Sequence, residues 1–135
     1  MPRLLAIDFG EKRIGLATCD VTGQVVAARR TLRRSRDADV VREIGRFCRD
    51  EEVEGVILGL PRPRDGSETD LTRRVRSFGE KVAHATGLPL VYHDEALTSW
   101  EAERDLGPSA GEEIDRSAAA ILLADYLAHA SGSRP

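Results

Sequence analysis

The stretch that decides the fold is "LLAIDFGEKRIG", residues 4–15. Four apolar residues run into Asp8, and the chain then turns on Gly10 and resumes with Ile14. An apolar run this short, bounded by a glycine, is a strand buried on both faces. Such a strand excludes an isolated carboxylate, because desolvating an unmatched charge is expensive. Asp8 therefore needs a reason, either as a turn acid next to Gly10 or as a ligand of a cation.

Outward from this strand, "GEK" and "DVTGQ" are turn-like, which sets segments 3–9, about 13–19 and about 24–32 as an antiparallel meander. The period then changes. Val40, Val41, Ile44, Phe47 and Cys48 form one helical stripe over 37–51. "GVILGL" at 55–60 is a further buried strand, and "RPRDGSET" after it has loop composition. From Thr69, the spacing of Leu71, Val75, Phe78 and Val82 predicts a helix that ends at Gly87. "LPLVYHDE" gives a fifth strand that ends on acids. Thr98 with Glu101 and Ser109 with Glu112 fit capping boxes for two final helices, the second reaching about Ala130 before a loose tail at 131–135. The order β-β-β-α-β-α-β-α-α predicts a single α/β domain over 1–135, with one mixed five-stranded sheet and helices against its faces.

Bulk properties narrow the function. The chain has 135 residues, 41% of them apolar and 32% charged, which suits a globular domain. The longest apolar run, "AAAILLA" at 118–124, is too short for a bilayer and there is no secretory signal, so no membrane partner and a cytoplasmic location are expected. Cys19 and Cys48 suit reduced core thiols. The net charge of −3 is unevenly spread. Arg29, Arg30, Arg33, Arg34, Arg36, Arg42, Arg46 and Arg49 make a basic band, whereas 94–115 is acidic with Arg104 as its one cation. A basic band beside an acidic centre can hold a phosphate chain and a cation, although two solvated faces would carry the same charges.

Three acids stand out by position. Asp8 lies in the first strand, Glu95 closes the last strand and Asp115 opens the last helix. Ala119, Leu122 and Tyr126 follow Asp115 at i+4, i+7 and i+11, which puts Asp115 in line with an inward stripe. Crowded carboxylates are reconciled by a shared proton, an arginine or a divalent cation. An oxygen-only set suits Mg²⁺ or Mn²⁺, and two such ions roughly 4 Å apart serve phosphodiester hydrolysis. Taken singly, Glu95 also fits a solvated strand end and Asp115 a helix-dipole partner. His84, His93 and His129 show no ligand spacing and receive no role.

Taken together, "AIDFGEKRIGLA", "VILGLPRPRDGSE", "DEALTSWEAE" and "IDRSAAAILLADYL" resemble the YqgF (RuvX-like) family of pre-16S rRNA nucleases and Holliday junction resolvase homologues. The resemblance covers nearly the whole chain. It implies an RNase H-like fold, three antiparallel strands plus two parallel ones, and a metal-dependent nuclease with Asp8, Glu95 and Asp115 as catalytic metal ligands. It also implies a nucleic-acid partner, precursor rRNA or branched DNA; resolution of a junction would further imply a two-fold homodimer. Ala96 stands where the family carries arginine, and Pro63 where it carries asparagine. Lys12 and Arg13, in the turn after Asp8, suit a scissile phosphate, and Arg62, Arg64, Arg73 and Arg74 suit a nucleic-acid backbone. An Asp-x-Gly after a first strand also opens actin-like and sugar-kinase-like phosphotransferases, but 135 residues leave no room for their other half. A non-catalytic RNA- or ribosome-binding module is the remaining alternative.

Overall fold

The computed structural model describes residues 3–20, 22, 25–63, 65–94 and 111–132, with side chains in the last stretch described over 118–129. Five strands form one sheet: β1 (Leu4–Phe9), β2 (Arg13–Cys19), β3 (Val26–Arg33), β4 (Gly55–Leu60) and β5 (Leu90–Asp94). Their order is β3-β2-β1-β4-β5. β1, β2 and β3 pair antiparallel, while β4 runs parallel to β1 and β5 parallel to β4. The expected meander and the two parallel strands are all present.

Two helices, α1 (Asp37–Asp50) and α2 (Asp70–Thr86), cover one face of the sheet. Their core joins Leu5, Ile7 and Phe9 of β1 to Ile14 and Leu16 of β2 and to Ile44, Val75 and Phe78 of the helices. The other face meets α3 (Gly111–Gly132), where Leu122, Leu123 and Leu127 pack on Ala6, Cys19 and Ile57. Because side chains alternate along a strand, β1 sends its odd residues to the first core and its even ones toward α3. The expected helix after Thr98 lies outside the described residues.

The start of α2 corrects one expectation. Leu71 is half exposed, and the buried stripe runs instead through Thr72, Val75, Phe78, Gly79 and Val82. Thr72 is buried because it completes the cap: its N–H donates to Thr69 Oγ1 at 3.1 Å, and its hydroxyl donates to the Pro61 carbonyl at 2.6 Å. This bond ties α2 to the loop after β4. At the other end Gly87 adopts φ 69°, a left-handed cap whose N–H bonds the Ala83 carbonyl, as expected from the sequence. Cys19 and Cys48 are buried free thiols, and burial pushes Cys48 up to about 11.

Candidate active site

Asp8 is 3% exposed on β1, and its even position directs it to the α3 face. Directly opposite it on β2 is Gly15. On the other side, Ile7 pairs with Leu58, so the next residue of β4 is Gly59, which in turn pairs with His93 of β5. Across the sheet the row is therefore Thr31, Gly15, Asp8, Gly59, His93. Glycine on both flanks keeps Cβ atoms away from the carboxylate and leaves its row to the one acid. A hard, oxygen-seeking dication fits such a donor.

β1, β4 and β5 are parallel, so their carboxyl ends share one edge of the sheet. Ligands of open α/β sheets gather outside that edge. Glu95 follows Asp94, the last residue of β5, but itself lies outside the described residues. The backbone of Asp115 belongs to the first turns of α3, the helix whose Ala118 and Ala119 are buried; the Asp115 side chain lies outside the described set. Asp8 is thus the described member of the expected triad.

The turn after Asp8 borders a concavity of about 460 Å³ lined by Glu11, Lys12, Arg13, Arg33, Arg34 and Ser35. The turn is closed by the Gly10 N–H, which donates to the Arg13 carbonyl at 2.9 Å. Arg34 holds it from outside: its guanidinium lies 4.4 Å from the centre of the Phe9 ring and donates to the carbonyls of Gly10 and Glu11 at 3.3 and 3.1 Å. Among the described residues no carboxylate forms an ion pair with Lys12, Arg13 or Arg33. Register places Arg13 directly opposite Arg33. Arg33 and Arg34 were visible in the sequence only as part of the basic band. What singles them out is the β2–β3 pairing, which a linear reading does not supply.

The other expected nucleic-acid residues are committed to neighbours. Arg62 donates to Asp94 Oδ1 at 3.0 Å. Arg73 pairs with Asp70 and donates to the Glu68 carbonyl. Arg74 forms a fork with Asp37, at 2.9 and 2.6 Å, that joins α2 to α1. The Arg74 fork holds the Asp37 carboxyl down at about 2 despite partial burial, and Lys81 assists at 2.9 Å. Arg73 and Arg74 are on α2, across the sheet from α3. Arg64 lies outside the described residues. Sequence reading also passed over His93 and His129, which the fold brings to Asp125; the signal was the Asp125–His129 spacing of four on one helix.

The sheet order, the strand directions and the buried acid on the central strand define an RNase H-like α/β domain. The model of the family described as "RuvX: Holliday junction resolvase" matches residues 2–129, and the chain belongs to that family. A relative from Thermosynechococcus vestitus, named "Putative pre-16S rRNA nuclease", is 38% identical over 94% of this chain and 88% of its own length. One of the same name from Lactobacillus johnsonii is 36% identical over 93% of this chain and 94% of its own. Among solved structures, RuvC of T. thermophilus in complex with a Holliday junction substrate superposes with a TM-score of 0.62 at 16% identity, covering 98% of each chain, and this supports the fold. No described helix is long and apolar enough to cross a membrane.

Proposed function

We propose that this protein is a divalent-metal-dependent nuclease that hydrolyses phosphodiester bonds during 5′-end processing of precursor 16S rRNA. The observation that carries the reading is Asp8: a buried carboxylate between two glycines at the carboxyl edge of the parallel strands, in a member of this family. Glu95 and Asp115 join it as the remaining ligands, since one follows β5 at the same edge and the other belongs to the helix that covers Asp8's face. A Mg²⁺ or Mn²⁺ pair bound there supplies charge stabilisation at the phosphate and a nucleophile at neutral pH.

The chain's own cations do the rest. Lys12 and Arg13 border the turn that follows Asp8, where they offset charge on phosphate oxygens, and Arg33 extends the same surface across β3. Arg62, in the loop after β4, adds a further cation once it is released from Asp94, and Arg64 is kept as a contact on the strength of the sequence alone. Arg73 and Arg74 contribute least, because their guanidiniums are paired and α2 lies on the face of the sheet away from α3. Such contacts grip backbone rather than base sequence, so binding weakens steeply with salt.

A second reading, cleavage of four-way DNA junctions, is favoured by the family description and would require a dimer with two symmetric sites. One experiment separates the two: Mn²⁺-dependent cleavage of a precursor 16S rRNA leader, a mobile junction and plain duplexes. The rRNA reading expects cleavage at the leader, with Asp8→Asn lowering the rate at least about 100-fold while the protein stays folded. Preferential junction cleavage favours the second reading. An Asp8→Asn protein that cuts at the wild-type rate overturns both.

A further inference from the structure

We propose that His93, Asp125 and His129 form a second cation site, suited to Zn²⁺ and separate from the Asp8 centre. One ring nitrogen of each histidine and a carboxylate oxygen of Asp125 lie within 4.8 Å of one another. His93 Nε2 is 2.6 Å from Asp125 Oδ2. His129 Nδ1 is 3.5 Å from Asp125 Oδ1 and 2.8 Å from the Asp125 carbonyl oxygen. His93 thus hydrogen-bonds the carboxylate, and His129, bonded to the Asp125 carbonyl, lies beside the other carboxylate oxygen, with the two ring centres 5.6 Å apart.

Two imidazole nitrogens and a carboxylate are donors that zinc accepts, with a fourth position left to water. Mg²⁺ and Ca²⁺, which prefer all-oxygen shells, are disfavoured by the same set. Two elements build it. Asp125 and His129 lie four residues apart on one face of α3, and His93 rises from the edge strand β5. The His93 side chain is 18% exposed and packs edge-on against Tyr126, so its ring is held. Asp125 and His129 are 46% and 71% exposed, which leaves a path of entry.

Donors on one tetrahedral zinc at about 2.0 Å stand about 3.3 Å apart. The ion therefore displaces the proton shared between His93 and Asp125, and the half-exposed carboxylate moves out by about 0.7 Å on that geometry; His129 binds through an unprotonated nitrogen, which at Nδ1 means giving up its bond to the Asp125 carbonyl. Gly59 of β4 separates His93 from Asp8, a distance of roughly 10 Å at ordinary strand spacing. An ion here fastens β5, which leads directly to Glu95, onto α3, which carries Asp115.

The test uses the whole chain without an affinity tag, stripped by chelator and titrated with Co²⁺ alone and with Zn²⁺ alone. The expected result is a visible Co²⁺ absorption that one equivalent of Zn²⁺ removes, and a melting temperature raised by Zn²⁺. His129→Ala and Asp125→Asn each weaken binding at least tenfold with unchanged circular dichroism, and Asp8→Asn retains the Co²⁺ absorption. Absence of one-equivalent uptake overturns the proposal, as does binding unaffected by both His129→Ala and Asp125→Asn. Loss of the Co²⁺ absorption in Asp8→Asn also overturns it, by assigning the ion to the other centre. None of these readouts depends on cleavage, so the nuclease reading stands or falls apart from them.

Discussion

The two faces of the sheet are built from the same strands and do opposite things. Toward α1 and α2, β1 and β2 send Leu5, Ile7, Phe9, Ile14 and Leu16, all large and all buried. Toward α3, the same two strands send Leu4 at the far end and then Ala6, Asp8, Gly15, Ala17 and Cys19, which are small or polar. Close packing of branched and aromatic side chains makes the first face a stability element. The second carries smaller side chains around its one buried acid, and α3 closes on it with Ala118, Ala119 and Leu122. One strand can serve both ends because its side chains alternate.

That contrast can be broken from the packed face first. Phe78→Ala removes a fully buried ring that packs at a tilt against Phe9 with centroids 4.6 Å apart, and should cost about 3–5 kcal/mol in urea unfolding. A loss below about 1 kcal/mol would mean that this face is not the stabilising one.

Next in size is the polar clasp between α1 and α2. Asp37→Ala deletes a carboxylate that accepts from Arg74 and Lys81, and should cost about 1–2 kcal/mol at neutral pH. The folded state holds Asp37 down at about 2, below the ordinary 3.8. Its contribution is therefore complete above the ordinary value and fades as pH falls toward about 2. Wild type and Asp37→Ala should accordingly converge in stability across that window; parallel curves would show that the pair does not act as a charged clasp.

The smallest effect concerns the basic surface. Arg33→Ala should leave the melting temperature within a degree or two, because this side chain is exposed. It should weaken nucleic-acid binding a few-fold and reduce the slope of log affinity against log salt by about 1, measured by fluorescence anisotropy. An unchanged slope would remove Arg33 from the phosphate contacts.

How much of this was legible in the sequence follows from where the information sits. Local signals served well: the apolar stripe of α1 and the Gly87 stop both lie within a few residues of what they determine. Leu71 misled because helical spacing admits either 71 or 72 as the first inward position, and the choice was made by a remote bond from Thr72 to Pro61. Asp8 drew notice as an acid in an apolar strand. Its glycine neighbours did not, because Gly15 and Gly59 become neighbours only through strand pairing. Arg33 beside Arg13, and His93 beside Asp125, escaped for the same reason. Arg74, expected from the sequence to hold a nucleic-acid backbone, is a bridge between helices, since nothing local to α2 shows that Asp37 is opposite.

The central claim is that Asp8, Glu95 and Asp115 hold one divalent-metal centre, and Mn²⁺ binding followed by electron paramagnetic resonance tests it most directly. Asp8→Asn, Glu95→Gln and Asp115→Asn should each weaken Mn²⁺ uptake at least tenfold while the protein remains folded. Wild-type uptake in either the Glu95→Gln or the Asp115→Asn protein would contradict it.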